Sequence, residues 1–198
     1  MKKLIVLLLF VTGSIIAQAQ NFDITDKDNK MSYSVATYDQ REMILDGSQN
    51  ETILGYSYGL IPVAYPLFNK TGQNFSDDFS DIVVSELMKE NLNCQLIHTK
   101  YNMSKNEIIN HLKDTKTDRY LLFTINSWRS DSHTAAMGGL KTTISYDITR
   151  EVFNKNGNIL HSKTIDGTEA PFKGGKKKIR DRNWESVQNK ISILLHNE

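Results

Sequence analysis

The residues that could do acid–base, nucleophilic or metal chemistry are dispersed along this chain. No two of its five histidines have the spacing of a metal-binding pair: His98, His111, His133, His161 and His196. The sequence contains no G-x-S-x-G nucleophile turn, no H-E-x-x-H zinc helix and no C-x-x-C pair. These absences argue against the common hydrolase, metalloprotease and redox sites, and we therefore predict no cofactor and no metal ion.

The stretch "SDSH" places Asp131, Ser132 and His133 side by side. Catalytic triads are assembled across a fold and are not built from three consecutive loop residues. An enzyme would need a cleft that brings two or more histidines and acids within hydrogen-bond reach. We interpret the stretch as an exposed hairpin loop, and we predict that the protein is not an enzyme and has no catalytic residue.

A basic run near the carboxyl end is the strongest charge feature. The run "KGGKKKIRDR" is opposed only by Asp181 and holds six cations: Lys173, Lys176, Lys177, Lys178, Arg180 and Arg182. It lacks the spacing and the Ser or Thr of a Walker phosphate loop. Cations at the start of a helix oppose the helix dipole, and an anionic partner would compensate them. Lipopolysaccharide phosphates, anionic lipid or an acidic envelope protein would suit; the alternative is a solvated loop.

A second candidate contact surface lies in the irregular stretch "GYSYGLIPVAYPLF". Its aromatic and aliphatic side chains include Tyr56, Tyr58, Leu60, Ile61 and Tyr65. Such residues either pack over one end of a sheet or remain exposed as a contact patch. We favour packing; if the patch is exposed, it is the leading candidate for a partner or membrane surface.

Hydrophobic periodicity predicts the elements that position these residues. "MSYSVATYD" alternates as a half-buried strand, and the Gly and Pro residues between Asp39 and Asn74 argue against a helix and leave room for one or two short strands. "FSDDFSDIVVSELMKENL" predicts a helix capped by Ser76. "SKNE" at Ser104 to Glu107 predicts a capping box before a shorter helix.

The second half of the chain predicts a three-stranded antiparallel meander. A strand from Arg119 to about Arg129 precedes "KTTISYDITREVF", and the Asn-Gly turn in "NKNGN" returns the chain into "ILHSKTIDGT". A final helix has one apolar face, formed by Trp184, Val187, Ile191 and Leu194. We predict a single α+β domain over residues 31–198, a two-layer fold with an antiparallel sheet and helices packed on one face.

The first 19 residues have the features of a cleavable signal peptide. Lys2 and Lys3 precede an apolar run from Leu4 to Val11, and Ala17 and Ala19 supply the A-x-A spacing of a cleavage site. The run is too short to span a membrane. We expect an exported bacterial protein, periplasmic or extracellular, with residues 20–30 as a flexible arm and no transmembrane segment in the mature chain.

Cysteine content and charge narrow the possible partners. Cys94 is the only cysteine, which excludes lipid anchoring through an N-terminal cysteine. The alternating residues around Cys94 predict a small buried residue in a short strand.

Loss of the leader removes two of the 24 Lys and Arg residues and none of the 23 Asp and Glu residues, which leaves a net charge of about −1. This balance predicts no nucleic-acid binding.

Four stretches together resemble the small envelope lipoproteins of the YajG type and, more loosely, the accessory lipoproteins of outer-membrane transport systems. They are "YDQRE", "FSDDFSDIVVSELMKENLN", "DRYLLFTINSWRSD" and "ISYDITREVFNKNGNIL", which span about Tyr38 to Leu160. The resemblance implies a non-enzymatic protein of the periplasm or outer-membrane periphery that works through interaction. It supplies no ligand residues, and the absence of an N-terminal cysteine marks this chain as a non-lipidated relative.

These observations favour a soluble periplasmic binding or assembly module that docks on another envelope component. The tyrosine-rich stretch, the basic run or an exposed strand edge would form the contact. The alternative is a carrier that holds a small apolar or anionic ligand between helices and sheet. Such a carrier would need an enclosed pocket lined by side chains such as Phe123, Ile125 and Leu87, with cations at its mouth.

Overall fold

The computed structural model describes residues 31–59, 63–134 and 139–196, and the predicted leader and N-terminal arm lie outside these ranges. The strands are β1 (Ser32–Asp39), β2 (Ile53–Tyr58), β3 (Ala64–Phe68), β4 (Asn93–Leu96), β5 (Arg119–Thr134), β6 (Leu140–Asn154), β7 (Ile159–Thr168) and β8 (Phe172–Gly174). The helices are α1 (Glu42–Leu45), α2 (Phe75–Lys89), α3 (Lys105–Asp114) and α4 (Lys176–Leu195). All the strands join one mixed sheet.

The predicted antiparallel meander is confirmed. β5 pairs antiparallel with β6, and β6 pairs antiparallel with β7. Gly157 in the connecting turn has a φ of 82°, a conformation that favours glycine because it has no Cβ. β5 continues to Thr134, beyond its predicted end, because a register shift between Ile125 and Ser127 lets the ladder with β6 resume. The far end of the long β5–β6 hairpin lies between β2, which pairs with β5, and β8, which pairs with β6.

The prediction of an antiparallel sheet is wrong for the other half of the molecule. β1 pairs parallel with both β4 and β5, and β2 pairs parallel with β5. β1 is buried on both faces, as central strands of parallel sheets are. The small residues Ser34 and Ala36 are the reason that the sequence predicted a half-buried strand. Small side chains can pack beneath a covering helix as well as lie on a solvated face.

The prediction that all helices lie on one face is also wrong. α2 and α4 cover one face of the sheet, where Phe79 and Val187 join the larger core cluster. α3 covers the other face, where Ile108 and Leu112 pack in a second cluster with residues of β1 and β5. Sequence periodicity identified each apolar stripe, but the side of the sheet that a helix covers depends on strand order.

The helix ends follow local chemistry with one exception. Ser104 and Glu107 form the predicted capping box at the start of α3. α2 begins at Phe75 after Asn74, and Ser76 is buried within the first turn, so that the prediction of Ser76 as the cap is wrong. The single turn of α1 lies in the stretch that was predicted to contain no helix, whereas the short strands β2 and β3 were predicted there.

Candidate interaction surface

The strand register brings residues from four strands into one row at the end of the sheet. Tyr58, the last residue of β2, pairs with His133 on β5. His133 pairs with Lys141 on β6, and Lys141 pairs with Lys173 on β8. Residues in register across neighbouring strands point to the same face. A tyrosine, a histidine and two lysines that are far apart in sequence therefore form a continuous row.

This row combines aromatic stacking with unfavourable charge. The rings of Tyr58 and His133 stack with centroids 5.0 Å apart and planes inclined by 10°. Lys141 and Lys173 are both exposed and lie directly opposite each other. Like charges at opposite positions of an antiparallel pair are destabilising. The fold therefore keeps two lysines together at a cost to its own stability.

The start of α4 lies at the same end of the sheet and adds further cations. Gly175 precedes the helix, no side chain caps it, and its first turn contains no acid. The amine of Lys176 lies 5.7 Å from the ring centroid of Tyr65 on β3. The tyrosine-rich stretch and the basic run, which the sequence offered as separate candidates, thus meet in the folded protein.

Two charged residues of the basic run already have partners within the protein. Arg182 forms ion pairs with Glu185, at 3.2 Å, and with Glu169, at 3.9 Å. Asp181, the only acid of the run, lies 3.3 Å from Lys70 on the segment after β3. The acid that the sequence placed among the cations therefore pairs with a lysine outside the run.

Six cations at this end form no ion pair with any residue that the structure describes. We name them, together with the neighbouring rings, the distal rim. Its members are Tyr58, Tyr65, His133, Lys141, Lys173, Lys176, Lys177, Lys178 and Arg180. Lys141 and His133 were not predicted as interaction residues, because only the pairing of β5, β6 and β8 reveals that they adjoin Lys173.

The predicted tyrosine patch is divided between the two faces of the sheet. β2 and β3 form a hairpin in which Tyr65 pairs with Ser57, one residue before Tyr58. Since neighbouring residues of a strand point to opposite faces, Tyr56 and Tyr58 share one face and Tyr65 points to the other. Tyr56 and Tyr58 are half-buried, whereas Tyr65 is 52% exposed. Leu60 and Ile61 lie outside the described residues.

The "SDSH" stretch forms no catalytic constellation. It belongs to β5, not to a loop, so that its side chains alternate between the faces. Asp131 pairs with Arg129 at 2.6 Å, buried Ser132 shares a hydrogen bond of 2.7 Å with Thr142, and His133 stacks on Tyr58. Within the described ranges, no group of three or more His, Cys, Asp or Glu side chains could hold a metal ion.

The residues expected to line a carrier pocket belong to the packed interior. Phe123, Ile125 and Leu87 are buried members of the larger core cluster. A surface groove of about 310 Å³ lies between α2 and α4, and most of the residues that line it are of polar types, with Asp78 and Trp184 among them. No rim residue lines this groove or the second one, of about 360 Å³, beside α1.

Comparison with known proteins shows a likeness of fold. No protein-family model matches the chain, and no curated protein is similar to it in sequence. A DUF330-family protein from Xanthomonas campestris is similar with a TM-score of 0.50 and 10% identity, covering 83% of this chain and 81% of that one. This likeness shows a shared fold and nothing of function.

Two further solved structures are more distant. PelC from Paraburkholderia phytofirmans, solved as a dodecamer, gives a TM-score of 0.41 at 11% identity over 84% of this chain and 88% of that one. A lipoprotein from Neisseria meningitidis gives 0.37 at 11% identity over 82% and 98%. The specific resemblance to YajG-type lipoproteins stays a prediction.

No helix within the described ranges is long and apolar enough to cross a membrane.

Proposed function

We propose that this protein is a non-enzymatic component of the bacterial cell envelope that docks on another envelope component through the distal rim. One observation carries the proposal: separate segments of the chain converge to place six cations without ion-pair partners among the described residues beside exposed or half-buried aromatic rings. The chemistry of this surface suits an anionic partner.

Electrostatics supplies the physical support. Cations in the first turn of a helix each cost roughly 0.3–1 kcal/mol at low salt because they oppose the helix dipole. The opposed lysines of β6 and β8 add a second unfavourable term. An anion bound at the rim would relieve both terms at once. Tyr65 would add apolar contact area beside the charge.

The proposed location is the periplasm. The leader predicted over residues 1–19 would export the chain. The carrier function is the weaker candidate, because the side chains expected to line its pocket are packed in the core.

The proposal is tested by capture from envelope extract with the mature chain that begins at Gln20. The variant Lys176→Glu/Lys177→Glu/Lys178→Glu reverses three rim charges. A matched control, Lys100→Glu/Lys116→Glu/Lys155→Glu, reverses three exposed lysines that are not part of the rim. Circular dichroism confirms that both variants fold, and each eluate is identified by protein and lipid mass spectrometry.

The expected result is a partner that the wild type and the control capture and the rim variant loses. Retention of the same partner by all three chains would refute docking through the rim. Capture of nothing by the wild type would refute the proposal that the protein works by docking on an envelope component.

A further inference from the structure

We infer that the partner of the distal rim is an anionic membrane surface that presents phosphate-bearing lipid headgroups. This inference rests on the proposed function and names the chemistry of its partner. Four observations support it: the rim cations are mostly lysines, they surround one end of the sheet, the rest of the chain is negatively charged, and an exposed aromatic ring lies beside the cations.

The rim carries its charge almost entirely on lysine. The six cations that form no ion pair with a described residue are Lys141, Lys173, Lys176, Lys177, Lys178 and Arg180. A lysine amine is a compact, hydrated point charge on a flexible stem, whereas arginine presents a rigid fork that suits bidentate recognition of one fixed anion. Flexible point charges suit a mobile array of lipid headgroups. Each cation near such a surface contributes about 1 kcal/mol to binding.

The cations surround an end of the sheet. The rim is formed where β2, β5 and β8 end and where β3, β6 and α4 begin. Neither of the two surface grooves described above includes a rim residue. A peptide or a small ligand would be expected to lie in a groove, whereas a membrane approaches such an end as a plane.

The rest of the chain carries the opposite charge. The formal net charge of the whole chain is +1, so that all residues other than the six rim cations sum to −5. A molecule with this asymmetry is attracted to an anionic surface at the rim and repelled along its body. The electrostatic field would therefore orient the protein with the end of the sheet toward the membrane.

Exposed side chains beside the cations suit the interfacial zone of a bilayer. Tyr65 is 52% exposed and lies against Lys176, and Val63, two residues earlier, is 47% exposed. Tyrosine is enriched at membrane interfaces because its ring is apolar and its hydroxyl remains hydrated. Charge would bring the rim to the surface, and these side chains would add shallow contact with the headgroup region.

The test is co-sedimentation of the mature chain with large vesicles. One set contains phosphatidylcholine alone, and the other contains phosphatidylcholine with phosphatidylglycerol at a molar ratio of about 7:3, a composition chosen to give the anionic surface on which polybasic segments depend. We expect binding to the anionic vesicles only, and its loss at high salt because the Debye length shortens. Lys176→Glu/Lys177→Glu/Lys178→Glu should weaken binding by about 100-fold or more. Tyr65→Ser should weaken it several-fold, and the Lys100/Lys116/Lys155 control should bind as the wild type does.

Two results would overturn the inference: no binding of the wild type to anionic vesicles at low salt, or equal binding by the rim variant. A third result separates the inference from the proposed function. Capture of an acidic protein from extract, lost in the rim variant and without vesicle binding, would refute the lipid surface and leave docking through the rim intact.

Discussion

The interior cations and the rim cations of this protein differ in the partners they have within the fold. Buried Arg41 pairs with Asp39 at 2.7 Å and donates to the carbonyl oxygens of Glu51 and Ile53. Arg150 donates to the carbonyl oxygen of Leu194 at the end of α4. These contacts connect buried arginine side chains to backbone carbonyl groups of other segments. The rim cations form no ion pair with any described residue, and this difference separates cations that hold the fold from cations available to a partner.

The two ends of α4 show the contrast within one element. At its carboxyl end, Lys163 reaches the carbonyl oxygens of Ile193 and His196 at 2.5 and 2.9 Å, so that positive charge meets the negative end of the dipole. At its amino end, Lys176 and its neighbours place positive charge at the positive end. A helix optimised for stability alone would carry acids there, as α2 does with Asp77 and Asp78.

The largest expected effect is the loss of an interior cation. Arg41→Met leaves the Asp39 carboxylate buried without its partner and removes the donors to two backbone carbonyl groups. Breaking one side of a buried ion pair costs about 3–5 kcal/mol. Urea unfolding at neutral pH measures the loss. The double variant Asp39→Asn/Arg41→Met should lose less, and a single-variant loss below about 1 kcal/mol would contradict the structural role of Arg41.

Reversing rim charges should have the opposite sign. Lys176→Glu/Lys177→Glu/Lys178→Glu replaces cations by acids in the first turn of α4, so that the free energy of unfolding should rise by at least about 1 kcal/mol in total at low salt. The gain should shrink as salt is added. Urea unfolding at two salt concentrations measures it, with the Lys100/Lys116/Lys155 variant as control. A clear loss of stability would show that the rim cations support the fold.

A smaller effect on stability is expected at Asp78, a buried acid that forms no ion pair within the described ranges. Asn69 and Thr71 donate to its carboxylate, and burial, the largest cause, raises the pKa of Asp78 above its usual value. A raised pKa means that the folded state favours the protonated form. The stabilisation this gives is full below the unfolded-state pKa and is lost as pH rises through the folded-state pKa.

Asp78→Asn should therefore raise the melting temperature slightly at pH 7, and the advantage should vanish near pH 3. Thermal unfolding across this range measures the difference. Asp81→Asn, at an exposed position of the same helix, is the matched control and should change little. A wild type that remains more stable than Asp78→Asn at pH 7 would show that the hydrogen bonds outweigh the cost of burial.

The Cys94 thiol should contribute neither charge nor binding, and it should react only slowly in the folded protein. Burial raises the pKa of the Cys94 thiol to about 11. Because the thiolate is the reactive form, alkylation by iodoacetamide at pH 8 should be more than about 100-fold slower in the folded protein than in urea. Quantification of the alkylated thiol by mass spectrometry follows both reactions. Equal rates would contradict the half-buried position of this side chain.

The sequence predicted what depends on local chemistry. The capping box of Ser104 and Glu107 and the Asn-Gly turn are complete within a few residues, and both appear as predicted. The sheet was predicted only in part, because parallel pairing of β1 with β5 joins segments about 86 residues apart. The alternation of β1 resembled a half-solvated strand since small residues fill the side beneath α3.

The candidate surface was likewise predicted in its parts and not in its assembly. The sequence identified the basic run and the tyrosines, yet nothing local placed Lys176 against Tyr65 or Lys141 opposite Lys173. It also could not indicate that Arg182 pairs with acids of the fold. Strand register and the position of α4 decide which charges remain unpaired, and both depend on the complete fold.

The most direct test of docking through the rim is site-specific photo-crosslinking in living cells. A photoreactive phenylalanine analogue is placed at Tyr65, at Lys177 and, as control, at exposed Ser162 on β7. Docking through the rim predicts adducts with an envelope component at positions 65 and 177 and none at 162. Adducts at 162, with none at 65 and 177, would contradict it.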